Sequence, residues 1–326
     1  MGTMYRLAWV RASCCVALVG VLAGGCGGDR HYGTADGSYM PRDAGGIPTD
    51  GGTRPPVDSG MVVPTDAGTS GYTEALCADP LPDLSALAAM YPASGLRSAV
   101  HDIAVSRYPI AVAFIDGQSD MQLMTWYSRG SSTFPEVLDG FETAAHEGAH
   151  IWDYSNSPGG MHAYRIREDL TITTRDLMNY ARSEILMRHV DQAGDFYAST
   201  YLTGFSGSQG FNNLLDEYNA YTHSLAAKYC TRDSLPPGGS TSARDGLLTM
   251  MYYVELYLKG ARLDHPDDYA EIMADPQHAN LILTIWARAE FYLALTASHR
   301  ELGINDATIR TWTYAPDNVA EIDMLR

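Results

Sequence analysis

His146, Glu147 and His150, near the middle of the chain, have types and spacing suited to metal chemistry. On a helix, residues four apart share a face, so His146 and His150 would present their imidazoles to a single ion. Two neutral imidazoles are half of the tetrahedral set that zinc accepts. Glu147, beside the first histidine, would reach the open side of such an ion. There it can take a proton from a water and later hand it to a leaving amine. The flanking Phe141, Ala144, Ala145, Ala149, Ile151 and Trp152 are apolar and predict a buried helix, with Pro135 near its start. Gly148 costs such a helix about 1 kcal/mol relative to Ala, and a residue this small would let another backbone pack against it.

Residues 143–152 resemble the metal-binding helix of the zincin metallopeptidases. That resemblance implies zinc on His146 and His150, Glu147 as general base, and a peptide or protein as substrate. Asp153 and Asn156 stand where the metzincin extension needs Gly and His, which excludes that branch. Residues 214–221 resemble the gluzincin segment Asn-Glu-x-x-Ser/Ala-Asp, with Glu217 at the ligand position, 67 residues after His150, and Ala220 at the small one. One carboxylate would offset part of the charge on zinc and leave the fourth position open. Glu217 is therefore expected within about 5 Å of both imidazoles. Two departures stand out: Asp216 replaces Asn, and Tyr221 replaces the Asp that would orient a ligand histidine. The orienting role must pass to another group or to a backbone carbonyl. Glu184 is the alternative third ligand, with His162 and Asp153 behind it. Tyr221 and His223 are candidate oxyanion donors, and Tyr201 and His162 lie in flanking loops.

The elements that must hold these residues predict an α+β, mostly α-helical fold: a small β-hairpin before the metal helix and a helical C-terminal lobe. Residues 81–90 suggest a short helix. Residues 109–115 and 121–127 read as two strands joined by the turn-like Asp116-Gly117-Gln118-Ser119-Asp120. The resemblance implies that one of them could hold an extended peptide by backbone hydrogen bonds. Beyond the metal helix, residues 174–190 repeat Leu177, Ala181, Ile185 and Arg188 at helical spacing. Residues 213–229 place Leu214, Tyr218, Tyr221, Leu225 and Tyr229 on one stripe, with Asn213 as a cap. Residues 245–259 are apolar nearly all round, as a central buried helix would be. Asp275-Pro276 opens a helix running to about Leu302 before Gly303.

Upstream of this domain the composition changes. Arg6 and Arg11 precede an apolar run ending in Gly24-Gly25-Cys26, so residues 1–26 read as a signal peptide. The ending resembles a bacterial lipoprotein signal in which Cys26 is lipidated. Leu22, however, lies four before the cysteine, and Ala23 takes the usual leucine position, which keeps plain secretion as the alternative. Residues 27–72, rich in Gly, Asp, Pro and Thr, read as a flexible tether, and residues 73–326 as the zincin-like domain. The expected location is the cell envelope: an outer-membrane or periplasm-facing lipoprotein anchored through Cys26. A net charge of −17 and a pI near 4.8 argue against nucleic acid as a partner. With Cys14, Cys15 and Cys26 in the signal, Cys77 and Cys230 remain as an expected disulfide. The rival to an exported zinc peptidase is a zinc-containing lipoprotein that uses the same scaffold for binding without turnover.

Overall fold

The computed structural model describes residues 72–326 apart from Arg129 and Met178. The signal peptide, Cys26 and nearly all of the tether lie outside the described residues. The chain opens with four short helices, α1 (Ser85–Met90), α2 (Leu96–Arg107), α3 (Ala111–Asp116) and α4 (Asp120–Trp126), and then the long α5 (Phe134–Asn156). An antiparallel hairpin follows, β1 (Met161–Arg167) and β2 (Leu170–Arg175), with Tyr164 opposite Ile172. A 3₁₀ turn (Arg182–Arg188) and two helical turns, α6 (Ala198–Tyr201) and α7 (Gly204–Gly207), lead to α8 (Phe211–Cys230) and α9 (Ala243–Asp264). The chain closes with α10 (Pro266–Ala274), α11 (Pro276–Leu295), α12 (Asp306–Thr313) and α13 (Pro316–Asp323). The fold is thus α+β and mostly helical. No helix of the described residues is long and apolar enough to cross a membrane.

Helix α8 is the centre: it is buried along nearly its whole length and packs against α5, α9 and α11. Helix α5 starts where the Glu136 carboxylate accepts the Ser132 and Thr133 N–H groups, both at 2.9 Å. Its Gly148 admits α3: an added Cβ would stand 2.9 Å from the Phe114 Cβ and 3.1 Å from its carbonyl oxygen. The close approach expected at this glycine is made by the end of α3.

Three expected elements differ. Residues 109–115 and 121–127 are helical, not stranded. Ala111, Phe114 and Ile115 are buried at helical spacing, and short apolar runs fit either period. The intervening turn is a helix stop followed by a cap. Ser119 accepts the Gln122 N–H at 3.2 Å while the Gln122 side chain accepts the Ser119 N–H at 2.8 Å. The sheet comes after the metal helix instead of before it. Of the helix expected over 174–190, Thr174 and Arg175 end β2, and only the 3₁₀ turn winds. Arg182 and Ile185, three apart, bury together there, as a three-residue repeat requires. Helix α8 starts after Gly210, and Asn212, not Asn213, is the working side chain. It bonds the Leu177 N–H, Thr174 Oγ1 and the Arg175 carbonyl at 3.0 Å each, tying the hairpin to α8. Asp275 caps α11 through the Gln277 N–H at 3.0 Å, and that helix ends at Leu295.

β1 cannot take an added strand. Its outward N–H groups donate to α5 and to the residue that ends it, Arg165 to Asp153 Oδ1 and Ala163 to Ser157 Oγ, both at 2.9 Å. The Arg165 carbonyl accepts from Asn219 at 3.2 Å and His223 at 2.8 Å on α8. The peptide-holding strand implied by the resemblance is therefore absent at 109–127, and β1 does not replace it.

The start of the domain is fastened twice. Cys77 and Cys230 form a disulfide, Cα atoms 5.7 Å apart. Glu74 makes a two-pronged, buried ion pair with Arg288 on α11, 2.7 Å and 3.1 Å, and also accepts from Tyr72 and Tyr292. Burial opposes charge on Glu74, yet Arg288 holds its pKa below the ordinary range. Glu74→Gln would leave the Arg288 charge uncompensated. It is expected to cost about 3–5 kcal/mol, read as a fall in urea midpoint at unchanged m-value.

Glu255 on α9 is fully buried, and neither carboxylate oxygen has a partner among the described residues. Burial, aided by Glu321 and Glu290 and opposed by Lys259, pushes its pKa up to about 10. The folded state then keeps a proton that the unfolded chain releases above about 4.5, so stability falls as pH rises between those values. Glu255→Gln is expected to raise Tm on the order of 5 °C at pH 8. By scanning calorimetry the gain should shrink toward zero at pH 5.

Candidate metal centre

His146 and His150 stand one turn apart on α5, and their Nε2 atoms converge to 3.1 Å. Glu217 comes from α8. Its Oε2 lies 3.7 Å from His146 Nε2 and 3.4 Å from His150 Nε2, inside the expected distance. That oxygen is buried and has no hydrogen-bond partner among the described residues. These are the described residues whose donor atoms group as a metal site would require. With ligand distances of about 2.0–2.1 Å, a tetrahedral set has edges of about 3.3 Å, and the three separations bracket that value.

The opposite ring nitrogens are held by α8 as well. His150 Nδ1 meets Asp216 Oδ2 at 2.7 Å, and His146 Nδ1 meets Ser224 Oγ at 2.9 Å. A carboxylate can only accept, so His150 donates from Nδ1, which leaves Nε2 as the nitrogen that faces Glu217 and would take a metal. Asp216 thus supplies the orienting carboxylate that Tyr221 lacks, one residue before the ligand instead of four after it. Burial disfavours charge on His150, but Asp216 and Glu217 outweigh this and raise its pKa well above the usual value. Burial, with His150 beside it, lowers His146 to about 4. Asp216 and Glu217 both stay ionised despite burial, held below the ordinary carboxylate range first by His150.

Glu147, between the histidines in sequence, makes no hydrogen bond or ion pair among the described residues. Burial, reinforced by Glu217 and Asp216 and opposed by His150, raises its pKa to about 7. A cation in the trio would favour the carboxylate.

No protein-family model matches this chain, and no curated protein or solved structure matches it either.

The other candidate residues divide clearly. Tyr221 lies against the centre, its ring edge-on to His146 with centroids 4.8 Å apart, and its hydroxyl is 2.7 Å from that of Tyr201. His223 is not placed to act as an oxyanion donor. It is fully buried, its Nε2 donates to the Arg165 carbonyl, and its Nδ1 accepts from Tyr108 at 2.7 Å. Burial and then Arg288 keep it neutral. Glu184 is 45% exposed on the 3₁₀ turn and pairs with His265 at 3.1 Å, away from both histidines. Asp153 is turned to Arg165 and Asn219. His162 reaches Asp216, 3.8 Å from its Oδ1, and not the trio.

Sequence reasoning missed Asp216 and Ser224 as orienting groups. Ser224 lies seven residues after Glu217, two turns along the same face of α8, and that spacing was the available signal. Asp216→Asn is expected to weaken zinc binding about 10–100-fold, and Ser224→Ala less. Competition against a chromogenic chelator would read both.

Proposed function

We propose that this chain is an exported, zinc-dependent peptidase of the zincin type, gluzincin-like in its ligand set, tethered to the cell envelope through lipidated Cys26. The observation that carries the reading is the convergence of His146, His150 and Glu217 from two helices, with the outer nitrogen of each imidazole already engaged. Three protein donors leave one tetrahedral position open, as catalytic zinc sites do; a purely structural site closes it. Bound there, zinc would lower the pKa of a water and polarise a carbonyl oxygen. Glu147 takes the proton from the attacking water and returns it to the departing amine. Asp216 and Ser224 fix the planes of the two imidazoles. Tyr221, beside His146, is the candidate donor to the oxyanion.

A second reading has one observation in its favour. The backbone groups on the outer edge of β1 are consumed by α5 and α8, so an extended substrate has no strand there to join. This suits a zinc-containing lipoprotein that binds without turnover. Glu147 separates the two readings, because a general base is needed only where a water is to be deprotonated.

His146→Ala is expected to abolish stoichiometric zinc in the purified protein. Glu147→Gln should retain zinc and lose about 10²–10⁴-fold in cleavage of a peptide mixture. Equal cleavage by Glu147→Gln and the parent would end the enzyme reading, and a parent that takes up no zinc would end both readings.

A further inference from the structure

Gly246 lies in the first turn of α9, fully within the buried face of that helix. Glycine is the poorest helix former after proline, and nothing in the local backbone calls for it: its φ is not positive. Space calls for it. A Cβ added at Gly246 would fall within contact distance of Cδ1 and Cε1 of Tyr221, and 3.2 Å from the Tyr197 hydroxyl. The Tyr221 ring therefore occupies the volume a side chain would fill.

That ring is the one set edge-on to His146, with an interplanar angle of 78°. Its freedom to yield is small. The hydroxyl is held 2.7 Å from Tyr201, whose own ring lies under the Arg182 guanidinium at 5.5 Å. Tyr197 packs edge-on to Tyr221 at 5.8 Å, and its hydroxyl donates to the Ser242 carbonyl at 3.1 Å, just before α9 begins. A ring pinned at its hydroxyl and pushed at its Cδ1–Cε1 edge turns about the pin, and its contact with His146 turns with it. His146 is held at Nδ1 by Ser224, so the imidazole responds by tilting, which moves Nε2 relative to Glu217 and His150.

We infer that Gly246 is a positioning residue for the candidate metal centre, seating Tyr221 against His146 from a helix that supplies no ligand. The inference rests on the zinc reading above. It adds a third helix, α9, to the two that carry the ligands.

The test uses the full chain with zinc and cobalt(II) as probes. Gly246→Ala is expected to weaken zinc binding about tenfold or more. It should also shift the visible cobalt(II) band, which reports ligand geometry, and lower the metal-free Tm, because the added methyl overpacks a buried site. In a Tyr221→Ala background the two clashing ring atoms are gone and, of the three nearest atoms, only the Tyr197 hydroxyl at 3.2 Å remains, so adding Gly246→Ala should change zinc affinity far less, as a double-mutant cycle would show. Tyr201→Phe removes the pin without adding volume. It should shift the cobalt band on its own, which keeps the inference testable should Gly246→Ala fail to fold. An unchanged cobalt band in both Gly246→Ala and Tyr201→Phe overturns the inference. Equal weakening by Gly246→Ala with and without the Tyr221 ring overturns it too. Both results presuppose a parent that binds zinc, so they leave the metal reading standing. Failure of the parent itself to bind zinc removes that reading and this inference together.

Discussion

Three electron-rich atoms, two imidazole nitrogens and a carboxylate oxygen, are held within 3.1–3.7 Å of one another in a largely buried space. Such atoms repel unless a positive charge lies among them, and without a metal that charge is the proton that Asp216 and Glu217 stabilise on His150. The protein sustains the arrangement by fixing both imidazoles from behind and by locking the helix that carries Glu217. Asp216 and Ser224 direct the rings, and α8 is itself locked on several sides. Its Asn212 holds β2, its Asn219 and His223 hold β1, and Asp153 of α5 closes the same set of bonds. The hairpin thus acts as a clip between the two ligand-bearing helices.

The centre was legible because its signals are local and helical. His146 and His150 needed only a helix to meet, and Glu217 needed a second rigid helix with an apolar stripe. Cys77 and Cys230 were legible by elimination, and Asp275-Pro276 by cap chemistry. The segment before α5 was not, because a run such as Ala111–Ile115 is as short as a strand and as apolar as a buried helix. The Ser119–Gln122 pair held the deciding information, a reciprocal cap, under composition that also suits a turn. The hairpin was lost for a related reason. Its last residues, Thr174 and Arg175, fall inside a helical pattern whose apparent period comes from Leu177 and Ile185, which bury in a loop and a 3₁₀ turn.

The orienting residues were illegible for a different reason. In the sequence Asp216 reads only as a replacement for Asn, and the Asp missing at position 221 points to the wrong side of the ligand. Either side of Glu217 can reach a histidine, depending on how α8 is rotated against α5. That rotation follows from tertiary packing, including the seat that Gly246 provides for Tyr221, and no local pattern encodes it.

The double fastening at the start of the domain also sets a load path. A pull on the chain upstream of Tyr72 would reach the fold at Glu74 and Cys77, and pass to the middle of α11 and the last residue of α8. Cys230 lies thirteen residues beyond Glu217, about 20 Å along the helix axis. Tension would therefore be delivered into a covalent link and a buried ion pair, at the end of α8 remote from the centre, with α5 and its histidines outside the line of force.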